Sequence, residues 1–305
     1  MLNINFEKFK KTHRKKINQV LYYELKSNNS IEVENLINNF LQDKNSFIFE
    51  SVEKGVIKGR YTIFGKNPDK IWEFNNDNIY YLNKNKKRKI KGDPVKIINN
   101  IIKNFNFKTP KRLPPLCSLL AGYFSYDTIR YFEKIKDTCI DDLKIPDIRI
   151  MRPTTLVIHD NLQKKIFFIK NCFSDKKISN YKKKYTDIKN ELNNIIIQSK
   201  ISANYSDKKM VKKTIKSNIS KKQFLENVKK AKKYIQIGDI FQVVLSQRFE
   251  TKLTKKPLSI YKRLRLTNPS PFMFYFNFND FQIIGASPEI LVRLRDNKVT
   301  IRPIA

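Results

Sequence analysis

The side chains that usually carry catalysis are few and scattered in this chain of 305 residues. Its two histidines, His13 and His159, lie far apart in sequence, and nothing pairs them as metal ligands or as a general base with an orienting partner. Each reads as a surface or packing residue. Three cysteines, Cys117, Cys139 and Cys172, are odd in number and show no CxxC spacing. That pattern argues for a reducing compartment and against a disulfide framework or a thiolate metal site. Glu289, inside the string GASPE, reads as a strand-terminal carboxylate capping a turn. Gln242 by itself is an exposed strand position, Ala305 a small core residue, and Phe272 and Met273 core residues of a strand. No catalytic residue and no metal ligand is assigned within the chain.

Whatever the chain does, its elements must be read next. Ile31 to Leu41 places apolar residues at helical spacing, with Asn29 or Ser30 as cap. Phe47 to Val52 and Tyr61 to Phe64 read as strands, and Ile71 to Tyr81 as a hairpin around Asn75, Asn76 and Asp77. Val95 to Phe105 is a helix candidate, Leu119 to Phe132 ends in a helix-like stretch, and Thr155 to Asp160 pairs with Ile166 to Lys170. In the second half, Phe224 to Ile235 is helical, with Ser220 as cap and Gly238 as stop. Phe241 to Phe249 is expected as a strand and Pro257 to Leu266 as a helix showing Leu258, Tyr261 and Leu264 on one face. Phe272 to Phe278, Phe281 to Gly285, Ile290 to Arg295 and Lys298 to Ile304 complete a meander, with tight turns at Asn279-Asp280 and Asp296-Asn297. Strands largely in succession predict an α+β fold with mostly antiparallel sheets. The expected segments are 1–173, a charged linker and helix at 174–218, and 219–305. The last strand runs into the final residue, which reads as a chain cut short.

The net charge of +34 comes from 62 Lys and Arg against 28 Asp and Glu. Such a surface attracts polyanions without specificity. The cations are mainly Lys, spread along the chain beside abundant Asn and Ile, which fits an AT-rich coding composition. No zinc-finger spacing or aromatic RNA-binding string accompanies them, so no specific nucleic-acid partner is expected. The densest run, Lys84 to Lys91, reads as a solvated hairpin tip. No apolar run reaches the roughly 18 residues of a membrane span, and the first residues are polar, so a cytoplasmic protein without membrane contact is expected.

Several strings, in order over nearly the whole chain, resemble component I of anthranilate synthase. They are Phe49-Glu50-Ser51 with Gly59-Arg60-Tyr61, AGYFSYD at Ala121 to Asp127, YIQIGDIFQVVLSQRF at Tyr234 to Phe249, NPSPFM at Asn268 to Met273, GASPE at Gly285 to Glu289, and RPIA at Arg302 to Ala305. The resemblance implies a four-layer α/β/β/α fold, here incomplete, that binds chorismate and Mg2+. Such an enzyme adds ammonia at ring C2 and eliminates pyruvate to give anthranilate. The ammonia comes from a glutamine amidotransferase subunit, in an expected heterotetramer of two large and two small subunits. The magnesium ligands and the chorismate contacts are expected beyond Ala305, so the fragment alone is expected to be inactive.

Two positions then acquire meaning as walls of the active site. Ala305 stands where the related aminodeoxychorismate synthases carry a nucleophilic Lys, so only free ammonia is left to attack. Gln242 stands where isochorismate synthases carry a Lys that activates water, and an amide cannot take that proton. The same resemblance implies feedback inhibition by L-tryptophan, with Ser51, Pro271, Phe272 and Met273 around the inhibitor and Glu50 as a candidate for its ammonium. The family's NPSPYM reads NPSPFM here and its LLES reads IFES, so one phenol hydroxyl is lost while ring stacking is kept. The competing readings are aminodeoxychorismate synthase component I, a non-catalytic remnant or binding module, and a basic nucleic-acid-binding protein.

Overall fold

The computed structural model describes residues 2–27, 31–53, 56–57, 59–76, 78–83, 86–105, 107, 109–202 and 214–301. Ala305 and the RPIA string lie outside the described residues, as do Asn29, Ser30 and Asp77. By spatial grouping the chain forms two units, Met1–Tyr205 with Ile260–Ala305, and Ser206–Ser259. This grouping follows a different line from the segments 1–173, 174–218 and 219–305.

The larger unit is built on one ten-stranded antiparallel sheet. In chain order its elements are α1 (Phe6–Arg14), β1 (Gln19–Lys26), α2 (Ile31–Asn39), β2 (Ser46–Glu50), β3 (Tyr61–Asn75), β4 (Asn78–Asn83), β5 (Lys86–Ile90) and α3 (Pro94–Asn104). They continue with β6 (Ala121–Phe124), a 3-10 turn (Tyr126–Tyr131), β7 (Ile148–Asp160), β8 (Lys165–Cys172) and α4 (Tyr181–Lys200). After α5 (Lys221–Gln236) of the smaller unit come α6 (Pro257–Thr267), β9 (Phe272–Asn277), β10 (Gln282–Ser287), β11 (Arg293–Arg295) and β12 (Lys298–Thr300). The sheet order is β1-β8-β7-β3-β2-β9-β10, with β4 beside β3, β5 beside β4 and β6 beside β7. The antiparallel α+β expectation holds.

Period-two alternation divides the sheet into two covered faces. One face carries α1, α2, α4 and α6, and Lys170 on β8 reaches Glu191 of α4 across it at 2.7 Å. The opposite face buries Phe47, Ile63, Met151, Leu156, Ile158, Phe167 and Phe276 under Leu113 and Cys117 of the segment before β6. A second core under α3 joins Ile98 and Ile101 to Phe74, Ile79 and Ile148. The caps follow side-chain chemistry: Asp93 accepts from Lys96 N at 2.7 Å, and Pro94 starts α3 where no amide donor is needed.

Several elements differ from the sequence expectation, each for a tertiary reason. The strands expected at Tyr61 to Phe64 and from Ile71 are one 15-residue strand, carried through Pro68 by a register irregularity between Pro68 and Lys70. The basic run is no hairpin tip over its described part: Lys86–Ile90 is an edge strand whose lysines stay exposed, a device that discourages edge-to-edge pairing. Phe241 to Phe249 forms no strand beyond Phe249–Glu250, which pairs with Lys216–Ser217. Phe241 is fully exposed there, because the segment finds no longer partner among the described residues. In α5 the Ser220 cap accepts from Gln223 N, and Gly238 follows with φ +82°, as its sequence indicates. The turn at Asp296 and Asn297 has φ of 48° and 60°, the left-handed pair that a two-residue hairpin requires.

Arg149 of β7 joins the middle of this sheet to its β9–β10 end. Its guanidinium binds Glu73 of β3 and Asp280 in the β9–β10 turn and lies over Phe278 and Phe281, with 5.0 and 4.7 Å to the ring centres. Burial opposes its charge, but Asp280 and Glu73 outweigh that and hold it protonated. The neighbouring β6 fits only because Gly122 has no side chain: a Cβ there would overlap the Arg149 carbonyl. Gly122→Ala is therefore expected to cost about 2–3 kcal/mol, the upper part of the overpacking range. Chemical denaturation of the chain checks this, and an unchanged midpoint would contradict the packing.

Candidate ligand-binding cleft

Pairing of β2 with β9 brings together two strings more than 200 residues apart in the chain. In that register Met273 sits opposite Glu50 and Phe274 opposite Phe49. Beyond the paired region, Val52 N donates to Ser270 O at 3.0 Å, which ties the end of the Phe49-Glu50-Ser51 string to the NPSPFM loop. Ser270 in turn donates to the Ser287 carbonyl of β10.

At this junction lies a cleft of about 790 Å³, bordered by the Phe49, Glu50, Ser51, Pro271, Phe272 and Met273 strings, with Tyr61, Ile63 and Phe274 as floor. Its size suits a small organic ligand. Pro115 and Leu116 form one wall, and the rim carries Arg60, Arg295 and Asp296. Gly59 permits the close approach of the two chain segments at its edge: a Cβ there would overlap that of Ser51.

All five residues expected around an inhibitor border this one cleft, yet alternation divides their side chains. Phe47, Phe49 and Phe276 pack in tilted and edge-on contact on the cleft face, with ring centres 4.8 to 5.6 Å apart, and Ser51 and Phe272 share that face by parity. Phe272 is 41% exposed, so its ring is available rather than packed away. Ser51 is half-buried, and its hydroxyl has no hydrogen bond among the described residues. Glu50 and Met273 point through the sheet to the helical face. Met273 is fully packed there.

Glu50 is buried under α6. One carboxylate oxygen accepts from Tyr261 and, at 2.7 Å, from Arg265 Nε, while Arg265 also reaches Glu34 of α2 at 2.6 Å. The other, Oε2, has no partner among the described residues. Burial pushes the Tyr261 phenol well above its ordinary value, and the adjacent Glu50 adds to that. Burial acts against the Arg265 charge, but Glu50 and Glu34 more than offset it. By sequence Tyr261 reads as an apolar-face residue and Arg265 carries no assigned role. The signal was present: Arg265 continues the stripe of Leu258 and Tyr261 at helical spacing, and a cation on a buried stripe requires a buried carboxylate.

The two remaining candidates lie elsewhere. Gln242 is exposed and belongs to no strand, and Ala305 is outside the described residues. Among the described residues no group of three His, Cys, Asp or Glu side chains is placed to hold a metal ion. His159 is a packing residue, with Nε2 2.6 Å from Ser27 Oγ and Nδ1 2.6 Å from Asn161.

The profile of the family described as chorismate binding enzyme matches residues 46–305. This chain belongs to the chorismate-binding enzymes. Within that family it is similar to anthranilate synthase component 1 of Cereibacter sphaeroides, 33% identical over 99% of this chain and 62% of the relative. It is also similar to anthranilate synthase component 1 of Acetivibrio thermocellus, 38% identical over 88% of this chain and 56% of the relative. The crystal structure of anthranilate synthase component I from Streptococcus pneumoniae superposes with a TM-score of 0.68 at 28% identity, covering 82% of this chain and 55% of that one. The chain thus spans less than two thirds of the length of these relatives. Among its described residues no helix is long and apolar enough to cross a membrane.

The Glu50 cluster yields a stability prediction. Arg265→Met strands a buried carboxylate and is expected to cost roughly 3–5 kcal/mol, and adding Glu50→Gln should recover more than half of it. Denaturant titrations of the two variants and the parent chain give the comparison. Equal loss in single and double variants would mean that the pair is not coupled.

Proposed function

We propose that this chain is the leading part of the large subunit of anthranilate synthase. The whole protein would convert chorismate and ammonia to anthranilate and pyruvate, the first committed step toward tryptophan. What carries the reading is the shared name of the relatives, anthranilate synthase component 1, matched over 88% to 99% of this chain. The chemistry at Ala305 supports it: without the nucleophilic Lys of the aminodeoxychorismate synthases, free ammonia is the attacking species. Gln242 likewise cannot deprotonate water for hydration at the ring. Residues 1–173 would form the regulatory part, 174–218 a connecting segment, and 219–305 the start of the chorismate-binding part. Chorismate contacts and Mg2+ ligands would lie in the length that this chain does not span. A glutamine amidotransferase subunit would deliver ammonia, in a cytoplasmic assembly of two large and two small subunits.

The cleft between Ser51 and Pro271-Phe272 would take L-tryptophan as feedback inhibitor. Phe272, Phe49, Phe274 and Pro271 supply the faces on which an indole stacks. Ser51 supplies a hydroxyl with no hydrogen-bond partner among the described residues. Glu50 would act on the ligand through the strand it anchors, because its carboxylate faces α6.

Full-length enzyme given chorismate, Mg2+ and ammonium is expected to release fluorescent anthranilate. Accumulation of aminodeoxychorismate or isochorismate instead would overturn the assignment. In the same assay Ser51→Leu is expected to shift the tryptophan inhibition curve at least tenfold to higher concentration. An unmoved curve would remove Ser51 from the inhibitor site.

A further inference from the structure

On the helical face, across the sheet from the cleft at the β2–β9 junction, a second cavity of about 550 Å³ lies between the end of β8, the segment after it and the start of α4. It sits where the ladder of β3 breaks: Asn67 takes a left-handed φ of 53°, and the register shifts between Pro68 and Lys70. Five lysines border it, Lys170, Lys176, Lys177, Lys183 and Lys184, and no arginine. Two of these are engaged. Lys170 is buried against Glu191 at 2.7 Å and Thr155 at 2.9 Å, and Lys176 reaches the Asp69 carbonyl at 3.4 Å. Lys177, Lys183 and Lys184 meet no carboxylate among the described residues. Of the two carboxylates on the wall, Asp69 is held by Arg152 at 2.8 and 2.6 Å, which leaves Asp187 against three ammonium groups. Like charges also crowd here: burial holds the Lys170 ammonium below its usual range, Glu191 offsets part of this, and Lys184 adds to it.

Backbone and a buried ring add donors at the same place. The 20-residue α4 begins after Asn180, whose side chain accepts from the Lys183 amide at 2.9 Å. The amides of Tyr181 and Lys182 are left without an acceptor among the described residues. His13 of α1 borders the cavity and packs against Tyr181, with Nδ1 3.3 Å from its hydroxyl. The hydroxyl donates to Nδ1, so the ring proton sits on Nε2, which is buried and has no partner among the described residues. With His13 only 7% exposed, an acceptor for that proton has to come from the cavity. From this arrangement we propose that the cavity binds a phosphate-bearing metabolite, with its phosphate at the start of α4 among Lys177, Lys183 and Lys184. A carboxylate is met best by the planar fork of an arginine, which this wall lacks. Several point-charge ammonium groups beside free helix amides suit a tetrahedral dianion instead. The volume accommodates a molecule the size of a sugar phosphate. The site is independent of what the cleft at Ser51 binds.

The test is calorimetric titration of the chain, at constant ionic strength, with inorganic phosphate, glucose 6-phosphate, glucose and succinate. Both phosphates should bind at least tenfold more tightly than succinate, and glucose should give no heat. Replacing two exposed side chains of α4 together, Lys183→Gln with Lys184→Gln, should weaken both phosphates at least tenfold without unfolding the chain. The charge-matched pair Lys222→Gln with Lys229→Gln, exposed on α5, should leave their affinity unchanged. Because the chain has only two histidines, nuclear magnetic resonance of their rings locates the anion. Phosphate should displace the signals of His13 and leave those of His159 in place. If succinate binds as tightly as phosphate, or the α5 pair weakens binding as much as the α4 pair, the attraction is generic charge and the proposal is overturned. It is equally overturned if neither phosphate binds, or if the His13 signals stay still while phosphate binds.

Discussion

The pairing of β2 with β9 is the constraint on which the rest depends. Antiparallel register fixes Met273 opposite Glu50, and with it the phase of every side chain on both strands. A slip of one residue would carry Phe49, Ser51, Phe272 and Phe274 to the helical face and turn Glu50 into the apolar floor. The register is protected from both faces. On one, Phe47, Phe49 and Phe276 interlock as a ring cluster. On the other, Glu50 must meet Tyr261 and Arg265, and a slip that turned it away would leave the buried Arg265 without that carboxylate. Segments remote in sequence thus line one cleft.

Opposite chemistry on the two faces also explains how a ligand could influence structure beyond its contacts. Ser51 is adjacent in the chain to Glu50, so a ligand touching Ser51 acts on a strand whose next side chain is locked to α6 and, through Arg265, to α2. The strand end cannot shift without disturbing a dry ion pair, and such pairs tolerate little displacement. The route is short and entirely covalent or hydrogen-bonded. It couples the cleft to the helical layer rather than to the sheet at large.

How much of this could be read from sequence depended on whether local chemistry or distant partners set the structure. Caps and turns were legible because their determinants are local: Ser220, Gly238 and the Asp296-Asn297 turn stand where their conformational preferences place them. The long strand through Pro68 was not legible, since proline marks a break unless an irregularity in the ladder absorbs it. Phe241 to Phe249 carries the residues of a strand but, before Phe249, finds no extended neighbour among the described residues, and β-propensity without a neighbour forms no ladder. At the cleft, the participating strings were visible in the sequence. The face to which Glu50 and Met273 turn was not, because it depends on a register set by a strand far away in the chain.

The same distinction settles what the large positive charge means. Lysine dominates the cation count and stays mostly on the surface, where each charge is solvated and contributes little to structure. Some lysines do join elements, as Lys170 with Glu191 and Lys66 with Asp43, while the arginines that do so are each set against a carboxylate and most against a ring as well. Arg152 bridges Asp69 at 2.6 Å and Asp175 at 3.0 Å over Phe173, Arg149 bridges Glu73 and Asp280 over Phe278, and Arg60 meets Asp160 over Tyr61. Arg265 does the same for Glu50 and Glu34 beside Tyr261. A flat guanidinium can donate along its edges while its faces rest on apolar carbon, and an ammonium cannot. Arg60, bound along one edge and open along the other, is the member of this set that faces the cleft.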